Sequence, residues 1–252
     1  MISIKTPEEI EKIRRACRIA AETLANIEKY IKPGVTTKEI DRIGEQFILK
    51  AGAKPAFKGY RGYQFATCIS VNYEVVHGIP SDKRALAEGD LVGVDIGAVF
   101  DDYYGDMART YGVGKINKSA ERLLKCGKDA LKSAIANTRA GAYLGDVSYA
   151  IESQAKKCGY SVVRDLFGHG VGRNLHEDPL IPNFGNRGEG VELKSGMVLA
   201  IEPMINAGGS EVITMDDGWT VITSDHSLSA HFEDTVVVTE RGAEILTCLK
   251  KM

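Results

Sequence analysis

Leu91-Val92-Gly93-Val94-Asp95 is an apolar strand that ends in a carboxylate, and 107 positions later Val198-Leu199-Ala200-Ile201-Glu202 repeats the pattern. The two stretches decide the fold, because the same offset aligns much more of the chain without a gap. It carries Leu24 to Leu131, Gly34 to Gly141, Gly52 to Gly159, Gly78 to Gly185, Leu86 to Leu193 and Gly89 to Gly196. Self-similarity at one fixed period is the signature of an internal repeat. Two halves, approximately residues 6–113 and 114–247, are then expected to form one domain, with a pseudo-two-fold that brings Asp95 and Glu202 face to face at its centre.

Outward from these strands the helices follow the same order in both halves. Thr6-Pro7-Glu8-Glu9 reads as an N-cap, a proline at the first helical position and a capping-box glutamate. It opens a helix with Ile10, Ile13, Cys17, Ala20, Leu24, Ile27 and Ile31 at helical spacing, ended by Gly34. Thr36-Thr37-Lys38-Glu39 opens a second, with Ile40, Ile43 and Phe47 on one face and a stop at Gly52. Short extended segments follow at 65–71, 74–77, 91–100 and 107–113. From about residue 119 a helix runs to about 139, another covers 146–157, and strands return. The expected class is α+β, each half placing two helices on antiparallel strands of one central sheet.

The 252 residues, 44% hydrophobic and 26% charged, can bury a sizeable core. With 32 Lys+Arg against 34 Asp+Glu there is no basic excess to condense on nucleic acid, so sequence-specific nucleic-acid binding is not expected. No run approaches the roughly 18 apolar residues of a membrane span, and residues 1–5 lack the apolar stretch of a signal peptide. The five cysteines are odd in number, widely spaced and contain no C-x-x-C pair, against a disulfide framework or a structural zinc site. A cytoplasmic protein with no membrane association is the expectation.

Four strand-borne carboxylates carry the chemistry. Asp95 lies in an apolar strand, where a carboxylate is costly unless paired or bound to a cation. Asp106 follows eleven residues later, after the turn Asp101-Asp102, so a hairpin would set the two aspartates roughly opposite each other. Glu202 and Glu233 close the count, the latter in Phe232-Glu233-Asp234-Thr235. Like charges converging in a low-dielectric centre force protonation or demand cations, and two divalent ions would balance four carboxylates. His169, in Gly168-His169-Gly170-Val171-Gly172, is the best imidazole ligand because glycines leave its ring uncrowded. Carboxylates with one imidazole suit Mn²⁺, Fe²⁺ or Co²⁺ better than a thiolate zinc site. Metal-assisted hydrolysis is the chemistry such a set supports. His77 and His176 fall in loops that could reach the site and assist at an oxyanion or leaving amine, whereas His226 and His231 receive no role. No P-loop, G-x-S-x-G or H-E-x-x-H motif competes.

Val94-Asp95-Ile96, Gly105-Asp106, Gly168 to Gly172, His176-Glu177-Asp178-Pro179, Ile201-Glu202-Pro203-Met204 and Phe232-Glu233-Asp234-Thr235 occur in the order of the type I methionine aminopeptidases, which the chain resembles from residue 6 to 247. It is similar to the short bacterial form, without a zinc-binding extension. The resemblance implies the pita-bread fold and a dinuclear centre, zinc also being compatible with it. Asp95 would chelate one metal, His169 and Glu202 the other, and Asp106 and Glu233 both. It further implies that the substrate is the initiator methionine of nascent chains whose second residue is small. His77 and His176 would contact the scissile amide, and Glu202 would shuttle the proton. Tyr60, Tyr63, Cys68 and Trp219 would line the methionine pocket. Phe57 stands there where some relatives have cysteine, and Leu175 precedes His176 where phenylalanine is common, so pocket shape differs from the family pattern. A monomer is implied, and docking to the ribosome fits an enzyme of emerging chains. Two rivals remain: a non-catalytic pita-bread module that binds peptides or proteins, and an Xaa-Pro aminopeptidase. The first is opposed by the five intact ligand positions; the second is separated only by substrate.

Overall fold

The computed structural model describes residues 2–249. Helix α1 spans Pro7–Ile27 and begins as its sequence requires: Glu9 N–H donates to the Thr6 hydroxyl, and Thr6 N–H donates back to the Glu9 carboxylate. Two N–H groups with no helical partner are thereby satisfied. The helix ends at Ile27 rather than continuing through Ile31. A 3₁₀ turn at Glu28–Tyr30 follows, and Ile31 is extended. Pro33 explains the early end, since it has no N–H to donate and disfavours helical geometry in the residue before it. Helix α2, Thr37–Lys50, carries a second complete capping box between Thr36 and Glu39.

Strands β1 (Lys54–Pro55), β2 (Thr67–Val71), β3 (Glu74–Val76), β4 (Leu91–Phe100) and β5 (Tyr103–Gly112) come next. Helices α3 (Lys118–Ala136) and α4 (Leu144–Cys158) then precede β6 (Ser161–Val162), β7 (Phe167–Gly170), β8 (Glu177–Pro182), β9 (Val198–Ile201) and β10 (Met204–Asn206). The chain closes with β11 (Val212–Thr214), β12 (Val221–Thr223), β13 (Ser229–His231), β14 (Glu233–Thr239) and β15 (Gly242–Ile245). A nine-stranded sheet runs β1-β4-β5-β14-β9-β7-β8, with β2 also on β4 and β15 also on β14. All its pairings are antiparallel. Two three-stranded sheets, β13-β10-β6 and β11-β12-β3, flank it. Residues 74–77, read from sequence as part of the same run of strands, thus leave the central sheet.

Asp101 and Asp102 both have positive φ, 49° and 62°, the two-residue hairpin geometry whose twist matches the flanking strands. The second strand therefore starts directly after the turn at Tyr103, earlier than the apolar pattern from Met107 indicated. Side chains alternate across a strand. Val92, Val94, Ile96 and Ala98 point into a core shared with Ala20, Leu24, Ile27 and Ile40 of α1 and α2. Leu199, Ile201, Val236 and Val238 meet Leu123, Leu131, Val147 and Ile151 of α3 and α4 in a second core. Both helix pairs thus cover one face of the sheet, and the residues between those apolar positions turn to the other. The curled, helix-backed sheet is the pita-bread fold.

Details recur at the 107-residue offset. Thr36 and Tyr143 are the N-caps of α2 and α4. Each also forms a bridge, Thr36 with Ala85 and Tyr143 with Glu192. Among the described residues no helix is long and apolar enough to cross a membrane.

Candidate metal centre and active site

Ala108 of β5 is the ladder partner of Asp95 on β4 and of Glu233 on β14. A small residue thus lies between two carboxylates on one face. Asp106 pairs with Gly97, so it sits diagonal to Asp95 on that same face rather than directly opposite, as the sequence alone indicated. Ile201 pairs with Asp234, which brings Glu202, the next residue after β9, beside Glu233. His169 pairs with Ala200 two positions before Glu202. The five expected ligands therefore converge from β4, β5, β14, β7 and the end of β9.

Ligand atoms of Asp106, His169 and Glu233 all lie within 4.8 Å of one another. His169 Nε2 is 3.7 Å from Glu202 Oε1 and 3.9 Å from Asp106 Oδ2. Its Nδ1 is 2.9 Å from the Gly170 carbonyl, which can only accept, so the proton is on Nδ1. Its Nε2 then faces carboxylates. Asp95 Oδ1, Asp106 Oδ1 and Glu233 Oε1 are buried without a hydrogen-bond partner. Orphaned buried oxygens are costly unless a cation lies against them. The donor set of oxygens plus one imidazole fits a divalent metal.

The electrostatics agree. Burial, then the neighbouring carboxylates, hold Asp95, Asp106 and Glu233 well above the ordinary carboxylate range. Glu202 departs from them: burial pushes it up, but the nearby rings of His231, His169 and His77 bring it below its usual value. His231 Nε2 lies 3.3 Å from Glu202 Oε2 and is almost fully buried. The sequence reading left His231 without a role. Its period-two spacing from Glu233 was the available signal, concealed by Phe232, which turns the opposite way into the α3–α4 core.

A cavity of about 320 Å³ opens beside the carboxylates. Phe57, Tyr60, Tyr63, Cys68, His77, His176 and Trp219, all expected there, line it together with the metal-site residues and Leu175. Arg61 and Leu180 line it as well and were not foreseen. Tyr63 meets Trp219 edge-on, with ring centroids 5.0 Å apart, which makes one wall aromatic. The His176 ring lies tilted against His169, with centroids 4.3 Å apart, and its Nδ1 is 2.7 Å from the Tyr60 hydroxyl. Burial, aided by His169, lowers His176 to about 4, and burial likewise lowers His77. Both rings are neutral at pH 7.

Fold and site define a hydrolase class that works through cations held by carboxylates and one imidazole at the centre of a curled sheet. The sequence profile of metallopeptidase family M24 matches residues 11–240, and the chain belongs to that family. A methionine aminopeptidase of Clostridium acetobutylicum is 48% identical over 98% of this chain and 99% of its own length. Methionine aminopeptidase 1 of Bacillus subtilis is 49% identical over the same shares. Among solved structures, the methionine aminopeptidase of Thermotoga maritima superposes with a TM-score of 0.97 at 48% identity, covering 99% of this chain and 100% of that one. The prolidase of Pyrococcus furiosus reaches 0.80 at 30% identity, this chain spanning 66% of its length.

Proposed function

We propose that the protein is a metal-dependent aminopeptidase that hydrolyses the N-terminal methionine from polypeptides, preferring a small second residue. The observation that carries this reading is the cavity: a pocket with an aromatic wall, suited to one apolar side chain, is lined at its base by Asp95, Asp106, His169, Glu202 and Glu233, of which Asp106, His169 and Glu233 lie close enough together to hold one ion. Relatives bearing that activity in their names match over nearly the full chain. We assign Asp95 to one metal, His169 and Glu202 to a second, and Asp106 and Glu233 to both, with Mn²⁺, Fe²⁺, Co²⁺ or zinc as occupants. When bound there, such ions polarise the scissile carbonyl and make water a competent nucleophile at neutral pH.

The remaining work falls to this chain's own groups. If the Tyr60 hydroxyl donates to His176 Nδ1, the proton of the neutral ring sits on Nε2, a donor for the developing oxyanion. His77, also neutral, lines the same cavity and is assigned to the scissile amide. Glu202, kept ionised by His231, accepts the proton of the attacking water and delivers it to the leaving amine. Phe57, Tyr60, Tyr63, Cys68 and Trp219 hold the methionine side chain. A single domain built from two related halves, 6–113 and 114–247, accounts for the matched caps and bridges at the 107-residue offset. Monomeric action in the cytoplasm on chains at the ribosome completes the proposal.

Release of methionine from Met-Ala-Ser, Met-Lys-Ser and an Xaa-Pro peptide, with chelator-stripped protein before and after Mn²⁺ or Co²⁺ addition, tests it. Metal-dependent cleavage of Met-Ala-Ser alone is expected. Cleavage only of the Xaa-Pro peptide would transfer the site to another substrate, and no cleavage under any metal would favour a binding module.

A further inference from the structure

We infer that Thr110 and Thr235 are a matched pair of positioning residues, each hydroxyl clasping the backbone of a site residue on a neighbouring strand. The inference rests on the site assignment above and concerns residues that have no direct part in it.

β5 and β14 form backbone ladder pairs only at Glu233–Ala108 and Asp234–Met107. On either side of this short ladder a threonine takes over. Thr235 Oγ1 accepts from Asp106 N–H at 3.3 Å and donates to Asp106 C=O at 2.7 Å. Thr110 Oγ1 accepts from His231 N–H at 2.9 Å and donates to His231 C=O at 2.8 Å. The backbones of the two threonines are engaged elsewhere, Thr235 in the ladder with Ala200 of β9 and Thr110 in the ladder with Gly93 of β4. Only their side chains reach across. The two clasps lie symmetrically about the Ala108–Glu233 pair, two residues to either side of it.

A hydroxyl has the donor and the acceptor that this job needs, and an isosteric valine has neither. Both threonines are buried, which excludes water as a ready substitute. Gripping a residue by its own N–H and C=O fixes the direction of its Cα–Cβ bond. For Asp106 that direction aims a carboxylate assigned to both metals; for His231 it aims Nε2 at Glu202. The two clasps thus serve different ends: Thr235 sets metal affinity, and Thr110 sets the proton-handling partner. Partners that orient ligands in this way typically carry 10–100-fold of metal affinity or activity.

The test is calorimetric titration of Mn²⁺ into chelator-stripped Thr235→Val, Thr235→Ser and Thr235→Ala, beside the same three changes at Thr110. Thr138→Val serves as control, because that hydroxyl is equally buried but bonds the Ala134 carbonyl at the end of α3. Thr235→Val should weaken Mn²⁺ binding by about 10–100-fold, with Thr235→Ser restoring most of it. Thr110→Val should weaken Mn²⁺ binding less than Thr235→Val does, since it reaches the metal site only through Glu202, while kcat falls about tenfold or more. If the valine variants do not fold, the serine and alanine variants decide, since they differ by the hydroxyl alone. Equal Mn²⁺ affinity in Thr235→Ser and Thr235→Ala, or an equal loss in Thr138→Val, would overturn the inference. Absence of methionine release by the wild type would sink the aminopeptidase reading and leave the Mn²⁺ comparison intact.

Discussion

His169 shows how much one ring orientation settles. With Nδ1–H committed to the Gly170 carbonyl, the ring is held so that Nε2 points at Asp106 and Glu202, the side on which a cation would be shared with them. His169→Ala and Asp106→Asn are accordingly expected to abolish most turnover while the far-ultraviolet circular dichroism stays unchanged; near wild-type release of methionine by either metal-saturated variant would contradict the assignment. Tyr60→Phe removes the hydroxyl on His176 Nδ1 and frees the ring to take the wrong tautomer, so kcat should drop about 10–100-fold with little change in Mn²⁺ affinity. A loss confined to KM would instead make Tyr60 a pocket residue only. At this scale the sequence was most readable where chemistry conflicts with surroundings: a carboxylate within an apolar strand, as at Asp95, or directly after one, as at Glu202, advertises itself. His231 and the Tyr60–His176 contact were concealed because their partners lie far along the chain, and nothing local in His231-Phe232-Glu233 tells which side chain faces which way.

The helices were legible because their signals are local. Capping boxes and glycine stops sit within a few residues of the ends they control; the misses were the end of α1 at Ile27, the end of α3 at Ala136 rather than about 139, and the start of α4 at Leu144 rather than 146. The sheets were less so, since the register of Asp106 against Gly97 and the departure of β3 to the β11–β12 pair depend on distant partners. Gly105 joins the two levels. A Cβ there would overlap the backbone of Ala16 and Cys17 in α1, so glycine lets the helix lie directly on β5 one residue before Asp106. Backbone cannot rotate away as a side chain can, so Gly105→Ala should cost about 1–3 kcal/mol and weaken metal binding together with stability. Thr6→Ala, which breaks the cap at the far end of the same helix, should cost about 1 kcal/mol and leave metal affinity alone. Urea unfolding paired with Mn²⁺ titration separates the two; unchanged metal affinity in Gly105→Ala would mean that α1 contact does not set the Asp106 position.

For the whole molecule, the centre that enables the chemistry is a liability without its ions. Asp95, Asp106 and Glu233 have folded-state values raised by burial and by one another, so metal-free folded protein holds protons that the unfolded chain releases. Their contribution is present below the unfolded carboxylate range and is lost as pH rises through the raised folded values. The other shifted site groups act elsewhere on the pH scale. His77 and His176 are lowered, so their effect is stability lost as pH falls below the ordinary histidine value. Glu202 is lowered too and is ionised in both states at neutrality. Cys17, raised to about 12, begins to matter only as pH nears the ordinary thiol range. Between the ordinary carboxylate range and those raised values, therefore, the three carboxylates make chelator-stripped protein melt at lower temperature as pH rises, opposed by His77 and His176 only below the ordinary histidine value. Saturating Mn²⁺ holds the carboxylates ionised in the folded state, removes that slope and adds about 2.7 kcal/mol per site at a hundredfold excess over Kd. For a chain of this size that corresponds to a rise of roughly 5–10 °C in Tm. Calorimetric melts across this window with and without metal decide the matter: a metal-free Tm that is flat or rises with pH would show that the carboxylates are not packed against one another in the way the ladder of β4, β5 and β14 dictates.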